Sequence, residues 1–213
     1  EDRARAGERR GGHGVVPHPR PQAREQVGRG RGDEEGVGPE MGPRDRGSLL
    51  HAVLERFVRA RRARGAWPPR GDDADRGELL STAEEEFAAF AAQGRAGDAS
   101  AWSAAREALR ARLLLWLRAE AREAGGLLPE LLEFRFGGSS GRPPLVVPDR
   151  GREIRLKGRV DRVDADAGRL LVLDYKDARA SRERREPLSP EALGTTSFQV
   201  PAYVLAAARE LPG

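Results

Sequence analysis

The chain has 213 residues, 38% of them apolar and 34% charged, enough for one globular domain with a core and a solvated remainder. Its 38 basic and 34 acidic residues leave a formal net charge of only +4. A field that weak does not by itself establish a polyanionic partner, although nearly all the cations are arginines suited to forked phosphate contacts. With no cysteine, disulfides, zinc ribbons and iron–sulfur clusters are excluded.

Lysine occurs only at Lys157 and Lys176 in a chain otherwise rich in Ala, Gly, Pro and Arg. No apolar run approaches the length of about 20 residues needed to span a bilayer. The N-terminus also lacks the apolar stretch of a signal peptide, so no membrane association and a cytoplasmic location are expected. The chain begins at Glu1 and not Met, which points to a piece of a longer protein.

Residues 1–46 are rich in Gly, Pro and Arg without apolar periodicity, and are expected to be a disordered linker. His13 and His18 lie there without neighbouring ligands spaced to close a metal site. From Ser48 to about Arg64, Leu49, Leu50, Val53, Leu54, Phe57 and Val58 recur at helical spacing. Trp67-Pro68-Pro69 should stop that helix, with a loop over Gly71 to Gly77. Two further helices are predicted, Glu78 to Ala92 and Ser100 to Glu123, separated by Gly94 to Asp98.

After Gly125-Gly126 the period changes. Leu131 to Phe136, Glu153 to Asp164 and Arg169 to Lys176 are predicted strands, the last two joined as a hairpin through Ala165-Asp166-Ala167-Gly168. A polar loop is expected over Ala178 to Glu191 and a last helix from near Ser197. No internal repeat and no phosphate loop of an ATP-driven motor is present.

Asp174 and Lys176 are two apart on a strand, so they share a face while Tyr175 points to the other. A turn near Asp166 or Ala167 sets Asp161 opposite Val172 to Asp174, bringing two carboxylates and one ammonium together. Paired carboxylates repel unless a cation lies between them, and hard oxygen donors suit Mg²⁺ or Mn²⁺. A bare Asp-x-Lys is most often a solvated face or surface ion pair. Here Leu170-Leu171-Val172-Leu173 leads up to it, an apolar run typical of a strand buried on both faces, from whose end the charges emerge. His51 and Glu55, four apart on the first helix, also share a face.

Taken in order, Gly47-Ser48-Leu49-Leu50-His51, Glu133 within Leu131 to Phe134, Gly158-Arg159-Val160-Asp161-Arg162-Val163-Asp164, Asp174-Tyr175-Lys176, and Gln199 with Tyr203 resemble the RecB/AddB-like nuclease domain of the PD-(D/E)XK family. The resemblance runs from Gly47 to Ala207. It implies an α/β, restriction-endonuclease-like core: a small mixed β-sheet flanked by helices, occupying 47–213, with a helical insertion over about 78–124 that shapes a DNA channel.

The resemblance further implies that His51, Asp161 and Asp174 are metal ligands with the Tyr175 backbone carbonyl, that Asp161, Asp174 and Lys176 are catalytic, and that the cofactor is Mg²⁺ or Mn²⁺. Glu133, Gln199, Tyr203, Glu55, Arg159 and Arg162 would support the site or meet DNA; for Gln199 and Tyr203 ordinary helix packing is the alternative, and for the two arginines solvated strand positions. The implied activity is metal-dependent DNA cleavage, in exonuclease form, on single strands or duplex ends in recombination or repair, with a helicase subunit or domain as partner. A DNA-binding module that has lost catalysis, or an interaction domain without nucleic acid, remain the alternatives. The family often continues the lysine motif with Thr and Gly, whereas this chain has Asp177-Ala178, adding a negative charge beside the site.

Overall fold

The structure is a computed structural model, described here for residues 41–123, 126–175 and 198–211. The chain divides into two units, Glu1–Gly36 and Val37–Gly213, and all described residues belong to the second. Most of the expected linker lies outside them, as do His13 and His18. Its expected end at residue 46 falls inside ordered structure: Met41 is buried at 7% exposure, and helix α1 (Pro43–Ala63) starts two residues later.

Proline near the N-terminus of α1, Asp45 in its first turn and Arg61 and Arg62 in its last suit the helix termini. Its end is a Schellman motif. Gly65 adopts φ 67°, the amide of Ala66 donates to the Arg61 carbonyl at 2.9 Å and that of Gly65 to Arg62 at 3.2 Å. Helix α2 (Asp73–Ala92) is capped by Asp72, which accepts from the Asp75 amide, and α3 (Ala99–Arg122) by Asp98, which accepts from Ser100 and Ala101.

These three helices build one core. Leu49, Val53, Leu54, Phe57 and Val58 of α1 pack with Leu79, Ala83, Phe87 and Phe90 of α2 and Leu109, Leu113 and Leu117 of α3. The segment expected as an insertion thus shares its core with the helix that carries His51. Arg61, buried with Asp75, cross-links α1 to α2, with Glu78 as a second partner at 2.8 Å.

Five strands follow: β1 (Leu128–Phe136), β2 (Leu145–Asp149), β3 (Arg152–Leu156), β4 (Gly158–Ala165) and β5 (Leu170–Leu173), before α4 (Gln199–Glu210). The sheet expected to be mixed is antiparallel among the described residues, in the order β1-β4-β5, with β2 and β3 forming a separate two-stranded ribbon. The physical reason is local: β4 and β5 are joined by a tight turn, in which Asp166 Oδ1 accepts from the Gly168 and Arg169 amides, and tight turns join antiparallel strands.

The long strand expected from Glu153 to Asp164 is two strands interrupted at Lys157. Strand β2 was not anticipated, because Pro148 interrupts its pattern; an isolated ribbon tolerates proline where an inner strand does not. Strand β5 is not buried on both faces: Leu171 is 47% exposed. A second core joins Phe134, Phe136, Leu145, Val160 and Val163 to Ala206 and Ala207 of α4. Gly158 is required there, since a β-carbon would lie 2.7 Å from the Phe136 ring and 3.1 Å from that of Tyr203.

Candidate active site

Three elements converge on one point between the two cores. Helix α1 carries His51, β1 carries Glu133 and β4 carries Asp161, and one ligand atom from each lies within 4.8 Å of the other two. The register explains the two strand contributions. Glu133 sits between the pairs Leu132↔Arg162 and Phe134↔Val160, the position across from Asp161, and residues directly opposed in an antiparallel pair share a face. Glu133 is also one of two non-glycine residues with positive φ among the described residues, at 47°, a left-handed conformation that costs roughly 1–2 kcal/mol for an L-residue with a β-carbon.

Both nitrogens of the His51 ring face oxygen acceptors. Nδ1 lies 2.9 Å from Glu133 Oε1 and 3.4 Å from Asp161 Oδ1, and Nε2 lies 3.3 Å from the Tyr175 carbonyl. The Glu133 hydrogen bond outweighs burial, and the Asp161 charge adds to it, so the imidazole pKa is raised. Asp161 is 5% exposed; burial pushes its carboxyl above the usual range, against the Tyr175 amide and the His51 charge, which hold it down. A neutral imidazole cannot satisfy acceptors on both nitrogens. Two carboxylates, an imidazole and a carbonyl oxygen so arranged are balanced either by a protonated ring or by a divalent cation, and this donor set fits the latter.

The hairpin places the third carboxylate as the spacing predicts. Arg162↔Leu173 is the last β4–β5 pair, so Asp174 follows immediately at the level of Asp161. Asp174 is exposed and lies outside the close three-residue group; its Oδ1 accepts from Gln199 Nε2 at 3.1 Å. Gln199, at the first position of α4, thus binds Asp174 across the gap between β5 and α4. Tyr175 contributes backbone at both ends: its amide donates to Asp161 Oδ2 at 2.7 Å, while its carbonyl faces His51. Its ring packs edge-on against both the His51 imidazole, centroids 5.8 Å apart, and Trp116, 6.4 Å apart, and burial pushes the phenol up to about 12. Lys176 and the Asp177-Ala178 departure lie outside the described residues.

Other expected site residues sit elsewhere. Arg162, expected to meet phosphate or solvent, does neither: it is 1% exposed, held by Asp164 at 2.6 Å and by Glu120 of α3 at 2.7 and 2.9 Å, and lies over the Trp67 ring. A guanidinium that deep must be paired, and its partners on α3 and in the α1–α2 connection are remote in sequence. Glu55 pairs with Arg59 at 2.6 Å and is not in the cluster. Tyr203 packs edge-on against Phe136, so it holds α4 to the sheet. Arg159 remains 46% exposed with Nε 3.2 Å from Glu133 Oε2. Sequence reasoning missed Glu120 and Trp67, which carried no local signal. A cleft of about 530 Å³ between the β4–β5 turn and the end of α4 includes none of the converging residues; donor geometry locates the site, and cleft size does not.

The sequence matches the family model of the PD-(D/E)XK nuclease superfamily over residues 23–213. The chain belongs to that superfamily. Two curated proteins, each named as a subunit of an ATP-dependent helicase/deoxyribonuclease, are similar to this PD-(D/E)XK chain: one from Acetivibrio thermocellus, 34% identical over 146 residues, and one from Ruminiclostridium cellulolyticum, 29% identical over 143 residues. The alignments cover 63% and 64% of this chain but 12% of each relative. No described helix is long and apolar enough to cross a membrane.

Proposed function

We propose that the chain is a metal-dependent deoxyribonuclease that hydrolyses phosphodiester bonds, acting on single strands or duplex ends as an exonuclease in the cytoplasm during DNA recombination or repair. The observation that carries this reading is the convergence of His51, Glu133 and Asp161 with the Tyr175 carbonyl. Superfamily membership and relatives whose names include a deoxyribonuclease support it. Their names also include a helicase, which supports a helicase subunit or domain as partner.

His51, Glu133, Asp161 and the Tyr175 carbonyl would hold Mg²⁺ or Mn²⁺, with Asp174 beside them. When bound, such an ion supplies charge neutralisation for a phosphoryl group and lowers the pKa of water. The protein's part is positioning. The Tyr175 amide fixes one Asp161 oxygen, leaving the other toward His51. Gln199 keeps Asp174 turned to the site, and Lys176, two residues along, is assigned to orient the attacking water or balance developing charge. Pre-set groups of this kind avoid reorganisation during reaction.

The test is cleavage of end-labelled single- and double-stranded DNA with Mg²⁺, Mn²⁺ or EDTA by wild type, Asp161→Ala, Asp174→Ala and Lys176→Ala. Metal-dependent cutting by wild type, lost in all three variants, is expected. Folded proteins that bind DNA alike with none cutting would replace this reading by that of a DNA-binding module.

A further inference from the structure

Beyond the metal cluster the same face of the sheet continues into cations. Phe134, Phe136, Gly158 and Val160 pack toward α4, so alternation puts Arg135 and Arg159 on the opposite face. They are a directly opposed pair, Arg135↔Arg159, and both are exposed. Arg159 marks this as the site's face, because its Nε touches Glu133, whose other oxygen meets His51.

Lys157 extends the row by one step. It is exposed, and a β-carbon added at Gly137, two residues past Arg135, would lie 2.9 Å from the Lys157 β-carbon and one at Gly138 3.6 Å from its Cδ. The lysine stem therefore crosses a strip that glycine leaves open. Along β4 and its approach the sequence on this face reads Asp161, Arg159, Lys157, and along β1 Glu133, Arg135, Gly137. Steps of two residues are about 6.6–6.8 Å.

Like charges directly opposed across strands are destabilising, and among the described residues the side chains of Arg135 and Lys157 make no ion pair or hydrogen bond to offset it. In the hairpin turn of β4–β5 and on the outer faces of α1 to α3, by contrast, arginines are mostly matched to nearby carboxylates. Unmatched cations aligned on a metal cluster are complementary to a chain of phosphates leading into it.

We propose that Arg135, Arg159 and Lys157 form a phosphate track that carries the DNA backbone to the His51–Glu133–Asp161 cluster, with Arg135 and Lys157 as substrate-positioning residues. This rests on the nuclease reading above. Backbone contact of this kind is independent of base sequence, and each phosphate neutralised releases counterions.

The experiment measures the affinity of the whole chain for a single-stranded and a duplex oligonucleotide by fluorescence anisotropy against salt, with Ca²⁺ present, and follows Mg²⁺-dependent cleavage separately. Arg135→Gln and Lys157→Gln are compared singly and together, with Arg76→Gln on α2 as a charge-matched control. Loss of both contacts should lower the slope of log K against log salt by about 1.4 on single strands or about 1.8 on duplex. KM for DNA should rise more than kcat falls, Mn²⁺ affinity should be unchanged, and the melting temperature should hold or rise as the opposed charges are relieved. The arm that shows the loss identifies the strand form carried. A wild type that binds and cuts DNA, beside a double variant with the wild-type slope on both substrates, overturns the track and leaves the nuclease standing. A folded wild type that neither binds nor cuts removes both.

Discussion

The backbone of Tyr175 joins the two sides of the site: its amide donates to Asp161 Oδ2 at 2.7 Å, and its carbonyl lies 3.3 Å from His51 Nε2. One peptide segment past the end of β5 therefore sets both a strand carboxylate and a helix imidazole. Its ring meets the His51 imidazole edge-on, centroids 5.8 Å apart, and its hydroxyl lies 3.5 Å from Arg162. The buried Arg162 network therefore touches the residue whose backbone faces the cluster.

That network gives a stability prediction. Arg162→Met leaves Glu120 and Asp164 without their cation and is expected to cost about 3–5 kcal/mol. Adding Glu120→Gln should recover part of the loss, because one stranded charge is removed, so the pair will be non-additive in urea unfolding. The salt slope of DNA binding should stay at its wild-type value in any folded Arg162 variant. A changed slope would mean that the guanidinium reaches phosphate after all.

Glu133 combines a ligand position with a left-handed backbone. Glycine accepts φ near 47° without steric penalty, whereas alanine does not. Glu133→Gly should therefore be more stable than Glu133→Ala by about 1 kcal/mol, while both lose most of the Mn²⁺-induced rise in melting temperature. For scale, that rise corresponds to about 2.7 kcal/mol when the ion is at a hundred times its Kd. Calorimetric scans with and without Mn²⁺ check both halves, and equal stability of the two variants would remove the strain argument.

Acid stability should report on Asp75. Burial would raise its carboxyl, but the amides of Gly71 and Arg70 and the Arg61 guanidinium hold it below the ordinary 3.8. A depressed folded pKa stabilises the protein above the unfolded value, and that contribution is lost as pH falls through the folded one. Asp75→Asn should thus destabilise by about 3–5 kcal/mol at neutral pH, with the difference from wild type shrinking only below about pH 4. Urea midpoints taken from pH 7 down to pH 3 give the curve; a difference constant throughout would assign the loss to packing.

Much of this is legible in the sequence alone, for physical reasons that differ from place to place. The α1 stripe and the turn at Asp166 are local, and local periodicity decides helix, hairpin and register. That register alone brings Asp161 level with Asp174. The ordered motifs likewise carried the PD-(D/E)XK resemblance that the family match established. What the tertiary structure decided is everything that depends on contacts between distant segments. Glu133 enters the cluster through β1–β4 pairing and an unusual φ. Arg162, adjacent to Asp161 in sequence, is buried against α3, and Arg135 comes to lie across from Arg159. A residue's neighbours along the chain set its strand, but the elements packed against each face decide whether its charge is ligand, cross-link or open surface.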